Sequence, residues 1–168
     1  MKHTTFTFLL LTLLIPSVAC GYEPPAYVYK GISVWFDDDL QSVSKKPVSK
    51  ADFVTVVKYL NQYWWDVYEQ PSRNAFEKAP IRVRFSAHPI ECDATEAGLC
   101  SGLGGYAIDV WLKGSCLADS VLLHELVHAL RQRKQHDWDI AHEDKMLWAF
   151  ADDWGPEALR HELKGCAK

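Results

Sequence analysis

From residue 53 to residue 68 the apolar side chains Phe53, Val56, Val57, Leu60, Trp64, Val67 and Tyr68 recur at steps of three and four. That is the period of one helix face. Ser49 with Asp52 three places later has the form of a helix N-cap box, and Gln70-Pro71 closes the pattern. Elsewhere the period is two. Residues 27–36 alternate around Val28, Ile32 and Val34 and are interrupted at Gly31, residues 81–86 place Ile81, Val83 and Phe85 between arginines, and residues 106–112 repeat the alternation. These three stretches predict strands. Residues 87–105 read as a long Gly-rich loop. A helix with Asp119 or Ser120 as its cap is expected to run to about Lys134, a further helix over residues 138–154 to stop at Gly155-Pro156, and a short one to finish the chain over 156–163. No repeat and no linker divides the pattern, so an α+β fold in a single domain is expected.

Composition agrees with that reading. The chain has 168 residues, 48% hydrophobic and 24% charged, which suits one globular core. Its net charge is −4, and the basic run Arg131-Gln132-Arg133-Lys134 is short enough to be the solvated end of a helix, so nucleic acid is not an expected partner.

The start of the chain belongs to targeting. Lys2 precedes an apolar stretch over residues 6–15, Pro16 ends it, and Ser17-Val18-Ala19 sets small residues ahead of Cys20. A membrane-spanning helix takes about 20 apolar residues, so residues 1–19 read as a signal peptide and residues 20–168 as the mature domain. Five cysteines leave one unpaired in an oxidising compartment. Ser17-Val18-Ala19-Cys20 resembles a bacterial lipobox, which implies a lipid on Cys20, although Ser17 stands where an aliphatic residue is usual. Plain cleavage after Ala19 or after Cys20 also fits. The other four cysteines are expected to pair as Cys92–Cys100 and Cys116–Cys166. The implied location is outside the cytoplasm, periplasmic or at the cell surface, with the chain tethered to the membrane through its lipid.

The chemistry lies in His124-Glu125-Leu126-Val127-His128. Two histidines at i and i+4 share a helix face and can reach one metal ion, while Glu125 lies about 100° around the helix, near a water on that metal. The flanking Leu122, Leu123, Leu126, Val127 and Leu130 bury the segment, where unpartnered imidazoles and a carboxylate would be costly. Residues 123–130 resemble the active-site helix of zincin metallopeptidases, and the resemblance covers residues 104–151. It implies one zinc ion per chain, held by His124 and His128, and hydrolysis of peptide bonds with Glu125 taking the proton from a zinc-bound water. It also implies an edge strand ahead of the helix, in the place of residues 106–112, that takes extended peptide.

A catalytic zinc has three protein ligands and one open position. In the helix expected over residues 138–154, Glu143 shares a stripe with Ile140, Leu147, Phe150 and Trp154, and a carboxylate there calls for a partner. Glu143 is therefore the preferred third ligand, which resembles the gluzincin subgroup; His142 and His136 are the alternatives. Asp137 and Asp139 read as helix caps, and His88 and His161 as surface residues. The oxyanion stabiliser is unassigned, with Tyr106 and His161 as candidates. The substrate is a protein or peptide, with cell-wall peptide cross-links among the options. The competing reading is a catalytically inactive zincin-fold lipoprotein that acts as a binding or inhibitory module, which the aromatic cluster Tyr63-Trp64-Trp65 keeps open. A structural zinc is disfavoured, because such sites close with four Cys or His ligands.

Overall fold

The structure is a computed structural model that describes residues 23–42, 48–72, 74–88, 107–112 and 116–166. The expected signal peptide, Cys20, the Cys92–Cys100 pair and Tyr106 lie outside the described residues. A four-stranded mixed sheet forms from β1 (Tyr27–Tyr29), β2 (Ile32–Phe36), β3 (Ile81–Ser86) and β4 (Ala107–Trp111), in that spatial order. The first pair is antiparallel and the next two are parallel.

The stretch expected as one interrupted strand is a hairpin. Its two-residue turn has positive φ at both Lys30 (46°) and Gly31 (81°), which suits the right-handed twist of the strands. Glycine is needed at the second position on two counts, since a Cβ there would lie 2.0 Å from the Phe76 carbonyl oxygen.

Register then builds the core. Val34, Val83 and Ile108 align across the sheet, as do Phe36, Phe85 and Val110. All but the half-buried Phe36 are buried. The opposite face carries Arg84 directly across from Asp109, joined by a 2.7 Å ion pair.

Between β2 and β3 come α1 (Asp38–Ser42), α2 (Lys50–Tyr68) and α3 (Ala75–Lys78). The Ser49 hydroxyl accepts from the Asp52 amide at 3.0 Å, so the cap forms as the sequence predicts. Asp52 itself does something else: its carboxylate accepts from the amides of Lys164 and Gly165 and anchors the end of the chain. The same end is joined to the segment before the motif helix by a Cys116–Cys166 disulfide, the pairing expected.

The motif helix, α4 (Leu122–Gln135), packs against α2 and α3. It places Leu122, Leu126, Val127 and Leu130 in the core. Ser120 contributes a hydroxyl that accepts from the Leu122 amide, while Asp119 pairs with Arg160 instead of capping.

The helix expected over residues 138–154 is replaced by something less regular. Residues 136–144 form a loop, followed by α5 (Lys145–Ala149), a π-helical turn (Phe150–Trp154) and α6 (Gly155–Glu162). Gly155-Pro156 therefore starts a helix rather than ending one. In a regular α-helix the Pro156 ring would clash with the carbonyl four residues earlier. Here Pro156 sits in the first turn of α6, directly after the π turn, where the Gly155 amide reaches back to the Phe150 carbonyl. A Cβ on residue 155 would lie 2.3 Å from that carbonyl oxygen, so glycine is what lets the turn close. No helix among the described residues is long and apolar enough to cross a membrane.

Candidate metal centre

With the apolar face of α4 in the core, His124 and His128 fall on its flank, half-buried and one turn apart. Their Nε2 atoms are 3.1 Å from each other, and the His142 Nε2 lies 3.3 Å from that of His128. All three nitrogens lie within 4.8 Å of one another, so the three histidines can form a metal-binding site.

The outer nitrogens show how the rings are aimed. His128 Nδ1 is 2.6 Å from the Trp138 carbonyl oxygen, which can only accept, so the proton sits on Nδ1. His124 Nδ1 is 2.6 Å from the Asp152 carboxylate, with the same consequence. Both rings, when neutral, turn a bare Nε2 lone pair inward. Acceptors so arranged repel unless a cation lies between them. Around a tetrahedral ion with bonds of about 2.0–2.1 Å, ligand nitrogens lie about 3.3 Å apart, which matches the two separations above. Imidazole nitrogens are a donor set that several first-row divalent metals accept.

His142 arrives from the 136–144 loop. His136, Asp139 and His142 all have left-handed φ, at 58°, 48° and 53°. Such a conformation costs about 1 kcal/mol or more per non-glycine residue, so something must hold it. Buried Asp139 does. Its two oxygens accept from the amides of Glu143 and Asp144 and from Trp148 Nε1 (2.6 Å), and Arg131 lies 3.1 Å away. Burial alone would raise the Asp139 pKa, but these donors and the Arg131 charge outweigh it and hold the carboxyl below its ordinary range. Asp139 is thus the knot of the loop rather than a helix cap.

The same loop removes the ground for preferring Glu143. Without a helix from residue 138 the stripe argument for Glu143 has no basis: Ile140 is 83% exposed, Trp154 is half-exposed, and Glu143 itself is exposed and outside the histidine group. His136, the exposed C-terminal cap of α4, does not join the group. His142, one residue before Glu143, does. His88 and His161 are exposed and stand apart, pairing with Asp39 and Glu157.

Sequence position alone singles out neither Trp148 nor Asp152, and it marks Asp139 only as a helix cap. Trp148 packs on all three imidazoles, with ring centroids 4.1 Å from His142, 4.4 Å from His128 and 4.9 Å from His124. Asp152 is placed by the π turn, a feature that recurs at functional sites. A histidine on a buried helix calls for an Nδ1 acceptor, and a nearby carboxylate such as Asp152 is the residue type that supplies one. Its position depends on a turn that no periodicity announces.

Glu125 completes the group. It is 5% exposed, and its Oε1 lies 3.6 Å from His124 Nε2. It lines a cleft of about 580 Å³ together with His124, His128 and His142. Burial first, and then the Asp152 charge, push its carboxyl up to about 8. Burial, only partly countered by the Trp138 hydrogen bond, holds His128 below its ordinary 6.5, and the neighbouring His124 and His142 lower it further.

These shifts predict a pH dependence. Between the ordinary Glu125 value of 4.5 and about 8 the metal-free fold binds more protons than the unfolded chain, so it loses stability as pH rises. His128 has the opposite sign: its depressed pKa weakens the metal-free fold as pH drops below 6.5. A bound cation favours the ionised carboxylate and the neutral imidazoles, and binding releases their protons. Stabilisation by a divalent cation at the three histidines is therefore expected to grow from pH 5.5 to pH 8. Urea unfolding of zinc-loaded and chelator-treated protein checks this, and a gap that stays constant or narrows contradicts it.

No protein-family model matches this sequence, and no curated protein and no solved structure matches it.

Proposed function

We propose that this chain is a zinc-dependent metallopeptidase resembling the zincins, with His124, His128 and His142 holding one zinc ion and Glu125 acting as general base. The observation that carries the reading is the convergence of three imidazole nitrogens beside a nearly buried carboxylate at an open cleft. Three ligands with a cleft on one side leave a coordination position for chemistry, which a four-ligand structural site does not. Bound there, zinc supplies Lewis acidity toward a water and a substrate carbonyl.

The protein's own residues do the rest. Asp152 and the Trp138 carbonyl hold His124 and His128 in the ligating tautomer. Glu125 takes a proton from the attacking water and delivers it to the leaving amine. Among the described residues strand β4 lies at an edge of the sheet, where an extended peptide would add as a further strand. The Cys116–Cys166 disulfide favours an oxidising compartment and so supports the proposed export to the periplasm or cell surface, with Cys20 carrying a lipid.

Zinc-loaded mature protein is expected to cleave members of a peptide library followed by mass spectrometry. Chelator treatment is expected to stop cleavage and added zinc to restore it. One bound zinc with no cleavage of any member would favour the binding-module reading.

A further inference from the structure

The indole of Trp148 is buried, absent from the walls of the cleft, and in contact with each of the three imidazoles. Its Nε1 is held at 2.6 Å by Asp139, the carboxylate that also secures the left-handed loop delivering His142. One aromatic ring therefore spans ligands that come from two different segments, α4 and the 136–144 loop. Its stacking on His142 is the closest of the three, with an interplanar angle of 29°.

We propose that Trp148 is a positioning residue of the metal centre: anchored by Asp139, it sets the angle of the His142 ring and closes the side of the site away from the cleft. The remaining coordination position then opens only toward Glu125. The inference rests on the metal-site reading above. A packing residue without this role would affect folding stability but not the geometry around the ion.

The test uses the intact mature protein, chelated and titrated with Co²⁺ alone. Wild-type protein is expected to give the intense visible bands of a four-coordinate ion. Trp148→Phe keeps an aromatic ring but loses the N–H, and Asp139→Asn keeps the volume but loses the charge. Each is expected to weaken cobalt binding about tenfold or more. Trp148→Phe is also expected to reduce band intensity as the coordination number rises, a change that the lower metal-free melting temperature expected from trimming a buried ring and losing its 2.6 Å hydrogen bond would not by itself produce. Wild-type spectrum and affinity in both variants would overturn the role of Trp148 and leave the metal site standing. Wild-type protein that takes up no cobalt would overturn the metal site and this inference with it.

Discussion

Replacing Glu125 by glutamine is expected to lower peptide hydrolysis by about 10²–10⁴-fold while zinc stays bound. The substitution preserves shape at a position that is 5% exposed, so it opens no cavity. It removes the carboxylate that lies 3.6 Å from His124 Nε2 and lines the cleft. It also removes a carboxyl that burial and Asp152 push up to about 8. The metal-free Glu125→Gln protein should therefore lose less stability than the wild type between pH 5 and pH 8. Turnover on a cleaved peptide, zinc content by mass spectrometry and urea unfolding at the two pH values check the three parts. Turnover unchanged with zinc bound would remove Glu125 from the mechanism.

His142→Ala and Glu143→Ala, adjacent in sequence, are expected to differ sharply. The His142 Nε2 lies 3.3 Å from that of His128, whereas Glu143 is exposed and outside the group. Loss of one of three protein ligands should weaken zinc binding by at least about 100-fold, since second-sphere changes alone cost 10- to 100-fold. At zinc concentrations about 1,000 times the wild-type Kd, binding stabilises the fold by about 4 kcal/mol, and His142→Ala should forfeit most of that. Glu143→Ala should bind zinc within about twofold of the wild type, because Glu143 meets Asp139 through its backbone amide, which the substitution keeps. Competition against a chromophoric chelator measures both. Zinc lost from Glu143→Ala and kept by His142→Ala would restore the glutamate as third ligand.

How far the sequence leads depends on how local each feature is. His124 and His128 are four residues apart on a helix whose apolar face is written in Leu122, Leu126, Val127 and Leu130, so their pairing needs no tertiary information. The strands were legible for the same reason, through the alternation of Ile81, Val83 and Phe85. Ser49 announced the start of α2, and the Cys116–Cys166 pairing was open to inference from cysteine spacing.

The third histidine of the group was not a local feature. Ile140, Glu143, Leu147, Phe150 and Trp154 fall into a helical phase by sequence alone, but Asp139 captures the amides of Glu143 and Asp144 and delays the helix to Lys145. That capture needs Arg131 from α4 and Trp148 from α5, both tertiary partners. Gly155-Pro156 misled for a related reason: a π turn absorbs a proline that an α-helix would reject. Residue types suggested a metal site; a loop and a turn decided which residues come together in it.

The central claim is that three imidazoles hold the metal. X-ray absorption at the zinc edge of the zinc-loaded mature protein tests it most directly. The expected spectrum shows four nitrogen or oxygen neighbours at about 2.0–2.1 Å, three of them with the outer-shell scattering of imidazole, and no sulfur. Fewer than three imidazoles, a sulfur neighbour, or no stoichiometric zinc would contradict the site built from His124, His128 and His142.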